Sequence, residues 1–496
     1  MKKLIFAVCA TLMSFSPMFF SAAQAERDAL TVGMILEPPH LDPTAGAAAA
    51  IDEVVYANLF EGLTRIDENG TVRPALATSW TISADGKVYT FALASGVKFH
   101  DGTSFTSADA VFSLNRAMAD DSENAQKALF SNVDSVAADG DESLVITLKE
   151  PAGNFLFNLG WGDAVIVAEE SAATNKNKPV GTGPFKFDRW VNGDRVELKR
   201  NEAYWGTQAA LASATFKFIS DPNAAMAALM AEEVDAFANF PAPELVPVFQ
   251  ADPRFAVVQG STEGETILST NNGKEPWSNP LVRQALAHTI DRQAIIDGAM
   301  YGFGTPIGTH FAPHNEAYLA DLINTYPHDL EKAKALLAEA GYADGIKGVM
   351  KLPPPSYARR GGEIIAAQLA QVGIEMEIVP VEWGQWLSDV FKATDYDLTI
   401  VSHTEPMDIG IYARDTYYFN YQSDEMKSLI AALEIESDPA KRTALMQQAQ
   451  TLITTEAVNT YLFQLAKVGV WNAKVQGLWK NSPVQANDIT GVSWTD

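Results

Sequence analysis

The 496-residue sequence contains a single cysteine, Cys9, and it has no run of 18 apolar residues. One cysteine excludes a disulfide framework and a cysteine-based zinc site. Basic residues are also scarce: 36 Lys and Arg stand against 62 Asp and Glu, which gives a net charge of −26. Nucleic acids and anionic membranes bind clustered basic residues, so this balance excludes nucleic acid as a partner and favours solubility.

The first 25 residues predict a signal peptide for export. Met1-Lys2-Lys3 is positively charged, residues 4–20 are mostly apolar, and Ala23-Gln24-Ala25 has the small-x-small pattern of a cleavage site. The apolar run contains Pro17 and is shorter than the roughly 20 residues that a spanning helix needs. We therefore expect cleavage after Ala25. Since Cys9 is removed with the signal, no cysteine is left to carry lipid, and we expect a freely diffusing protein of a bacterial periplasm.

Length and periodicity predict about three domains of α/β structure. The composition is typical of globular proteins, with 47% apolar and 20% charged residues. In the first half, the alternating run 88–93 predicts a strand between the Asp-Gly turns at 85–86 and 101–102, and Thr106 with Asp109 predicts a capped helix. The second half alternates helices and strands, which favours a largely parallel or mixed sheet. The predicted helices there begin at Asn279-Pro280 and extend past Ile295, cover 329–340 and 363–372, and begin at Asp438-Pro439; the predicted strands cover 374–381 and 397–401.

No catalytic or metal-binding motif is present in the sequence. The zincin, nucleophile-elbow, P-loop and dinucleotide-binding patterns are all absent. His310 and His314 have the spacing of two ligands on one helix face, but Pro313 between them disfavours that helix. We expect no cofactor, no metal site and no enzymatic activity.

Several segments resemble the signatures of the peptide and nickel class of periplasmic solute-binding proteins. They follow the order of that family along essentially the whole chain. The segments are Phe99-His100-Asp101-Gly102-Thr103 with 106–113, Val180-Gly181-Thr182-Gly183-Pro184-Phe185, 200–206, 279–286 with Asp291-Arg292, and 336–342.

The resemblance implies an α/β fold of three interleaved domains, in which two lobes close like a clamp and a further domain is inserted in the first lobe. Residues 26–58, 190–268 and 468–496 would form lobe I, residues 59–189 the inserted domain and residues 269–467 lobe II. Closure would be a hinge motion selected by a ligand that contacts both lobes. The implied partners are a small-molecule or peptide ligand and the membrane permease subunits of an ABC importer, and we expect a monomer.

The resemblance also implies a ligand site. Dipeptide-binding relatives hold the peptide amino group with an acidic residue and its carboxylate with an arginine. Matching the family segments without gaps places Glu405 at the amino-anchoring position, and Asp408 takes that position if a short gap intervenes. The family arginine falls on Leu352, which puts dipeptide specificity in doubt. Candidates to replace the missing arginine are Arg359, Arg360 and Arg414, and further candidate ligand contacts are His403, Trp383, Trp386, Tyr357 and Trp161.

The leading interpretation is therefore an exported protein that captures a di- or oligopeptide, or a related amine-bearing solute, for an ABC importer. The same fold could instead bind an opine, a sugar or another non-peptide nutrient, which the missing arginine favours. A metal chelate comes third, because the exported chain would have no cysteine and few histidines. A secreted hydrolase is the remaining alternative. It would require a nucleophile, a base and an oxyanion site that the sequence does not supply together.

Overall fold

The structure is a computed structural model that describes residues 27–46 and 48–495. The predicted signal peptide, residues 1–25, lies outside the described residues. Within the described ranges, no helix has both the length and the apolar character needed to cross a membrane.

The described residues form strands that are numbered here in chain order. They are β1 Ala29–Met34, β2 Thr64–Ile66, β3 Val72–Pro74, β4 Ala77–Ile82, β5 Val88–Leu93, β6 Val133–Ala138, β7 Ser143–Leu148, β8 Phe185–Val191, β9 Arg195–Arg200, β10 Ser213–Phe218, β11 Ala236–Phe237, β12 Phe255–Thr270, β13 Thr305–Pro306, β14 Ile346–Leu352, β15 Ile374–Pro380, β16 Leu398–His403, β17 Thr460–Asn472, β18 Val475–Gln476 and β19 Ser493–Trp494.

The α-helices are numbered in the same way. They are α1 Ala49–Val55, α2 Ser107–Met118, α3 Phe155–Asn158, α4 Glu169–Ala172, α5 Pro222–Met230, α6 Val246–Gln250, α7 Pro280–Thr289, α8 Arg292–Met300, α9 Leu330–Glu339, α10 Ser356–Ala370, α11 Trp383–Gln385, α12 Asp424–Ile435 and α13 Pro439–Thr455. A π-helical segment, Trp386–Lys392, continues α11, and a 3-10 helix covers Asp408–Ala413.

Most strands belong to one large mixed sheet, in the order β15-β14-β16-β12-β17-β11-β1-β10-β9-β8 with β13 beside β17. β14 runs parallel to β15 and β16, and β1 runs parallel to β10 and β11. A separate antiparallel sheet, β4-β5-β7-β6, has its own apolar core with α2. The large sheet is therefore mixed, as the alternation of helices and strands in the second half of the sequence predicts.

The two long strands β12 and β17 join the halves of the large sheet. The first part of β12 pairs only with β17, while its second part, from Glu265 onward, also pairs with β16. The register between β12 and β17 is interrupted between Ser261 and Glu265. Such an irregularity bends the strands locally and increases their twist. The bend lies where the chain crosses from one half of the sheet to the other.

Local sequence signals predict several elements correctly. β5 has the predicted limits, and Thr106 and Asp109 form both hydrogen bonds of the capping box before α2. Asp329 and Asp438 accept hydrogen bonds from the first turns of α9 and α13, where the sequence predicts helix starts.

Two predicted helix boundaries are wrong. The helix predicted from Asn279-Pro280 past Ile295 is in fact two helices, α7 and α8. Ile290 has extended backbone angles and Asp291 caps the second helix through the backbone N–H of Ala294, so the chain stops and restarts there. The helix predicted over 363–372 begins at Ser356, because Tyr357 and Ala358 join the same apolar cluster as the rest of the helix.

His100 of the Phe99–Thr103 segment joins that segment to the glycine-rich segment at 181–183. The backbone N–H of Gly181 donates to its Nδ1 at 3.2 Å, and its Nε2 lies 3.0 Å from the carbonyl oxygen of Gly183. Both contacts are satisfied by a neutral ring with hydrogen on Nε2. Desolvation lowers the pKa of His100 to about 4 and outweighs the contact with Gly183, which acts in the opposite direction.

We predict that His100 makes the protein lose stability in acid. A folded-state pKa below the ordinary value of 6.5 means that its contribution is complete above pH 6.5 and is lost as the pH falls toward 4. The expected loss from this residue is about 3 kcal/mol. Urea unfolding at pH 7 and pH 4 should show a smaller acid loss for His100→Gln than for the unchanged protein. The control is His328→Gln at an exposed position, and equal acid losses in all three proteins would contradict the prediction.

Candidate functional site

Candidate ligand contacts lie at the carboxyl ends of three parallel strands of the large sheet. β14, β15 and β16 run in the same direction, so their carboxyl ends meet. Tyr357 follows β14, Trp383 follows β15 and Glu405 follows β16. Ligands of open α/β sheets bind outside the carboxyl ends of such strands. The sequence prediction that Glu405 follows a strand end is confirmed.

The turn after β16 separates the two rival carboxylates. Met407 has left-handed backbone angles, φ 63° and ψ 22°, and a non-glycine residue in that conformation costs roughly 1 kcal/mol or more. The reversal leaves Glu405 exposed and turns Asp408 inward, where 13% of its side chain is exposed. One short segment thus presents one open and one enclosed carboxylate.

Asp408 is held by a buried histidine from a distant segment. Nε2 of His310 lies 2.7 Å from Oδ1 of Asp408, and Nδ1 of His403 lies 3.7 Å from Oδ2. Burial acts to raise the pKa of Asp408, but the charge and hydrogen bond of His310 prevail and lower it. Burial lowers the pKa of His403. Asp408 therefore stays a carboxylate at neutral pH while His403 stays neutral.

Glu265 lies behind this pair on the central strand β12. It is the register partner of His403, and its Oε1 lies 3.2 Å from Nδ1 of His310 without forming a hydrogen bond. Burial raises the pKa of Glu265 well above its usual range, and the charges of Asp408 and Glu263 raise it further. The raised pKa favours the protonated form of Glu265 beside the carboxylate of Asp408.

The arrangement can bind a cation. Ligand atoms of His403, Glu405 and Asp408 lie within 4.8 Å of one another, and so do those of Glu265, His310 and Asp408. In the second group, Nε2 of His310 and Oδ1 of Asp408 already form a hydrogen bond with each other at 2.7 Å, so these two atoms are not free to bind a cation. The first group opens toward solvent at Glu405, which has no salt-bridge partner among residues 27–46 and 48–495 and accepts only the N–H of Thr404 at 3.2 Å. An ammonium group or a metal ion fits this chemistry.

A second buried histidine, His314, forms a separate cluster. Its Nε2 lies 2.6 Å from Oε1 of Glu263, and its Nδ1 lies 2.6 Å from Oγ of Ser261. His310 and His314 thus point into different clusters, and residues 310–314 are not helical. The cluster ties His314 to β12 beside the interrupted register.

The three candidate arginines lie in different surroundings. Arg359 pairs with Glu382 at 2.9 Å, and Arg360 donates to the Tyr301 hydroxyl at 2.9 Å. Arg414 is exposed, and its guanidinium lies 5.1 Å from the ring centre of Tyr417. Its charge also acts on His403 and Asp408. Of the three arginines, only Arg414 lies near His403 and Asp408.

The aromatic candidates differ in accessibility. Trp386 is 4% exposed and donates to the Thr399 hydroxyl at 3.0 Å, so it packs inside an apolar cluster. Trp383 is 40% exposed and meets Trp386 edge to face at 5.7 Å. Tyr357 is half-buried and lies against the backbone of Ser402. Trp383 and Tyr357 therefore have accessible surface near the carboxyl ends of the strands, and the buried Trp386 packs against Trp383.

Trp161 is not part of this group. It packs with Phe157 and Trp479 over a small apolar cluster that includes Tyr56 and Val484. The residues of this cluster come from segments that do not carry Glu405 or Trp383, so Trp161 lies in a separate place.

Residue patterns gave no indication of the groups that enclose Asp408. The pairing of β12 with β16 brings Glu265 opposite His403, whereas His310 comes from a separate non-helical segment. The one available signal was Glu263 and Glu265 inside a run that otherwise reads as a buried strand. Charged residues are almost never fully buried unless they are paired, so such a position indicates a partner.

Comparison with known proteins gives consistent results. The family model described as bacterial extracellular solute-binding proteins, family 5 middle, matches residues 71–425. The glutathione-binding protein GsiB of Salmonella typhi is 29% identical over 463 residues, with 88% of this chain and 89% of that protein covered. GsiB of Pectobacterium atrosepticum is 33% identical over 358 residues, with coverages of 71% and 68%.

Solved structures resemble the whole described chain. HbpA2 from Haemophilus parasuis has a TM-score of 0.86 at 26% identity and covers 94% of this chain and 100% of its own. The periplasmic binding protein DppA from Helicobacter pylori, in complex with the peptide STSA, has a TM-score of 0.69 at 27% identity, with coverages of 95% and 98%. The chain belongs to the family 5 bacterial extracellular solute-binding proteins. Its fold is the two-lobed α/β clamp with an inserted domain, as the resemblance implied.

Proposed function

We propose that this protein captures short peptides with a free amino group in the periplasm and delivers them to the permease of an ABC importer. The observation that carries the proposal is the open carboxylate of Glu405 at the end of β16, backed by the enclosed charge of Asp408. A buried ammonium group needs a compensating anion, and this loop supplies one that has no salt-bridge partner among the described residues.

Glu405 is the better amine anchor of the two rival carboxylates. Asp408 is already paired with His310 at 2.7 Å, so a ligand would have to compete with that hydrogen bond. Its negative charge still adds to the field at Glu405. In this proposal Glu405 contacts the ammonium group, and Asp408 and His403 position the loop and its charge.

The remaining candidates take supporting roles in the proposal. Arg414 lies near enough to the cluster to receive a ligand carboxylate, while Arg359 and Arg360 have partners elsewhere. Trp383 and Tyr357 would line the ligand path, and Trp386 would hold Trp383 in place. Trp161 packs in a separate apolar cluster and has no part in this proposal.

Names of relatives support a peptide as cargo. The two GsiB relatives are glutathione-binding proteins, glutathione is a tripeptide, and DppA was solved with the peptide STSA. Capture requires no covalent chemistry, so we propose a binding protein rather than an enzyme, acting as a monomer. We also propose the lobe limits expected from the sequence, with residues 59–189 as the inserted domain.

The test is native mass spectrometry of the purified protein with a tripeptide library, followed by calorimetry with the tightest tripeptide and its N-acetylated form. We expect the free-amine form to bind and acetylation to abolish binding. Equal affinity for both forms would contradict an amine anchor. Absence of any tripeptide complex would contradict peptide capture.

A metal chelate is a second candidate cargo, because ligand atoms of His403, Glu405 and Asp408 converge within 4.8 Å. Repeating the calorimetry in EDTA separates the two possibilities. A peptide captured through its amine keeps its affinity in EDTA, whereas a chelate loses it.

A further inference from the structure

A cavity of about 370 Å³ lies between the inserted domain and lobe II, beside the loop that carries Glu405. We call it the chamber. Its walls come from β3–β4, from the segment 153–157, and from lobe II around Met407 and Met446. Its volume falls at the lower end of the range of small-molecule pockets, which is about 300–1,000 Å³.

Apolar side chains form most of the chamber wall. Trp80, Ile82 and Phe157 come from the inserted domain, and Met407 and Met446 come from lobe II. Trp80, Ile82, Phe157 and Met407 are only partly buried, so they present apolar surface that no described residue covers. An apolar group entering the chamber would remove that surface from water, which is favourable.

Met407 connects the chamber to the proposed amine anchor. It lines the chamber and lies two residues after Glu405, at the left-handed turn. The amide of Asn315 lies 3.5 Å from its sulfur atom, which fixes the Met407 side chain against the lobe. The side chains of a solute whose amine contacts Glu405 therefore lie close enough to enter the chamber.

The far end of the chamber is held together by direct contacts between its two sides. The N–H of Gly153 donates to the carbonyl oxygen of Glu434 at 2.7 Å. Arg442 donates to the carbonyl of Leu433 at 2.8 Å, and it lies so close to Gly153 that a Cβ there would clash with the guanidinium. The chamber is thus preformed, and a ligand does not have to assemble it.

From these observations we propose that the chamber is a specificity subsite for an apolar or aromatic side chain of the captured solute, so that the inserted domain takes part in selection. The inference rests on the proposed function, since the chamber would bind a side chain of the same peptide whose amino group contacts Glu405. It predicts a preference that glutathione, with its polar side chains, would not satisfy.

Calorimetry with two tripeptide panels tests the chamber. One panel places phenylalanine at each of the three positions of trialanine, and the other places serine there. We expect the best phenylalanine peptide to bind about tenfold more tightly than its serine counterpart, as burial of one aromatic side chain implies. Equal affinities of the two panels would overturn the subsite and leave peptide capture intact.

A filling substitution provides the structural test. Asn154 lines the chamber, is exposed and makes no capping hydrogen bond before α3. Asn154→Phe should lower the affinity for the phenylalanine peptide about tenfold and leave the serine peptide unchanged. Asn177→Phe, at an exposed position outside the chamber, is the matched control. An unchanged affinity in Asn154→Phe overturns the subsite, and so does an equal loss for both peptides. If the unchanged protein binds no peptide of either panel, peptide capture itself is contradicted.

Discussion

Replacing Glu405 with alanine is expected to weaken the binding of an amine-bearing peptide by about 2 to 5 kcal/mol, the range for removing one partner of a buried charge pair. The ligand ammonium would then be enclosed beside Asp408 alone, whose Oδ1 is already committed to His310. Calorimetry should show the loss as a raised Kd, with no change in the unfolding midpoint, because Glu405 is exposed and lacks a structural partner among the described residues.

Two further variants separate this effect from a general change of charge. Glu405→Gln keeps the shape of the side chain and should lose nearly as much affinity as the alanine variant. Glu377→Ala removes an exposed glutamate from β15 and should leave Kd unchanged. If Glu405→Ala retains the original Kd while Asp408→Asn loses binding, the amine anchor is Asp408, and the short-gap alignment was the correct one.

The largest expected effect on stability follows from Trp277, which is fully buried. It belongs to the apolar cluster formed by α7, α9, α10 and β14. β14 approaches it so closely that a Cβ on Gly348 would lie 2.7 Å from the Trp277 ring. Trp277→Ala removes the ring and leaves a cavity, which should cost about 3–5 kcal/mol. That is a large fraction of the 5–15 kcal/mol typical of folded proteins.

Urea unfolding measures this effect directly. Trp277→Phe should recover much of the lost free energy of unfolding, because a smaller ring still fills part of the space. Leu387→Ala is a suitable control, since Leu387 is 47% exposed and its removal should change the free energy by less than about 0.5 kcal/mol. A loss in Trp277→Ala no larger than that control would show that the cluster repacks around the gap.

Local signals were sufficient for much of the fold. Helix starts at Asp329 and Asp438, the capping box at Thr106 and the strand β5 depend on neighbours within a few residues, so the sequence displays their causes. The split between α7 and α8 was missed because the apolar pattern continues through Ile290 while Asp291 restarts the chain. Periodicity reports which face is buried, and it does not report where a cap interrupts the backbone.

The candidate site was only partly accessible from the sequence. The strand end that carries Glu405 follows from pattern and resemblance. The enclosure of Asp408 does not, because it depends on His310 and Glu265, which reach it from segments about 100 and 140 residues away in the chain. The preformed chamber likewise depends on residues near 80, 157, 407 and 446. Contacts between distant segments leave no periodic or local pattern.

The pairing of β12 with β17 also sets the order in which the chain can become structured. β17 covers Thr460–Asn472 and hydrogen-bonds along nearly the whole length of β12, which ends about 190 residues earlier. Both halves of the large sheet include β17, so neither half is complete until the last tenth of the chain is available. Pairings of such high sequence separation form slowly. The large sheet therefore stays unfinished during most of synthesis, and an unfinished sheet suits a polypeptide whose first residues predict export.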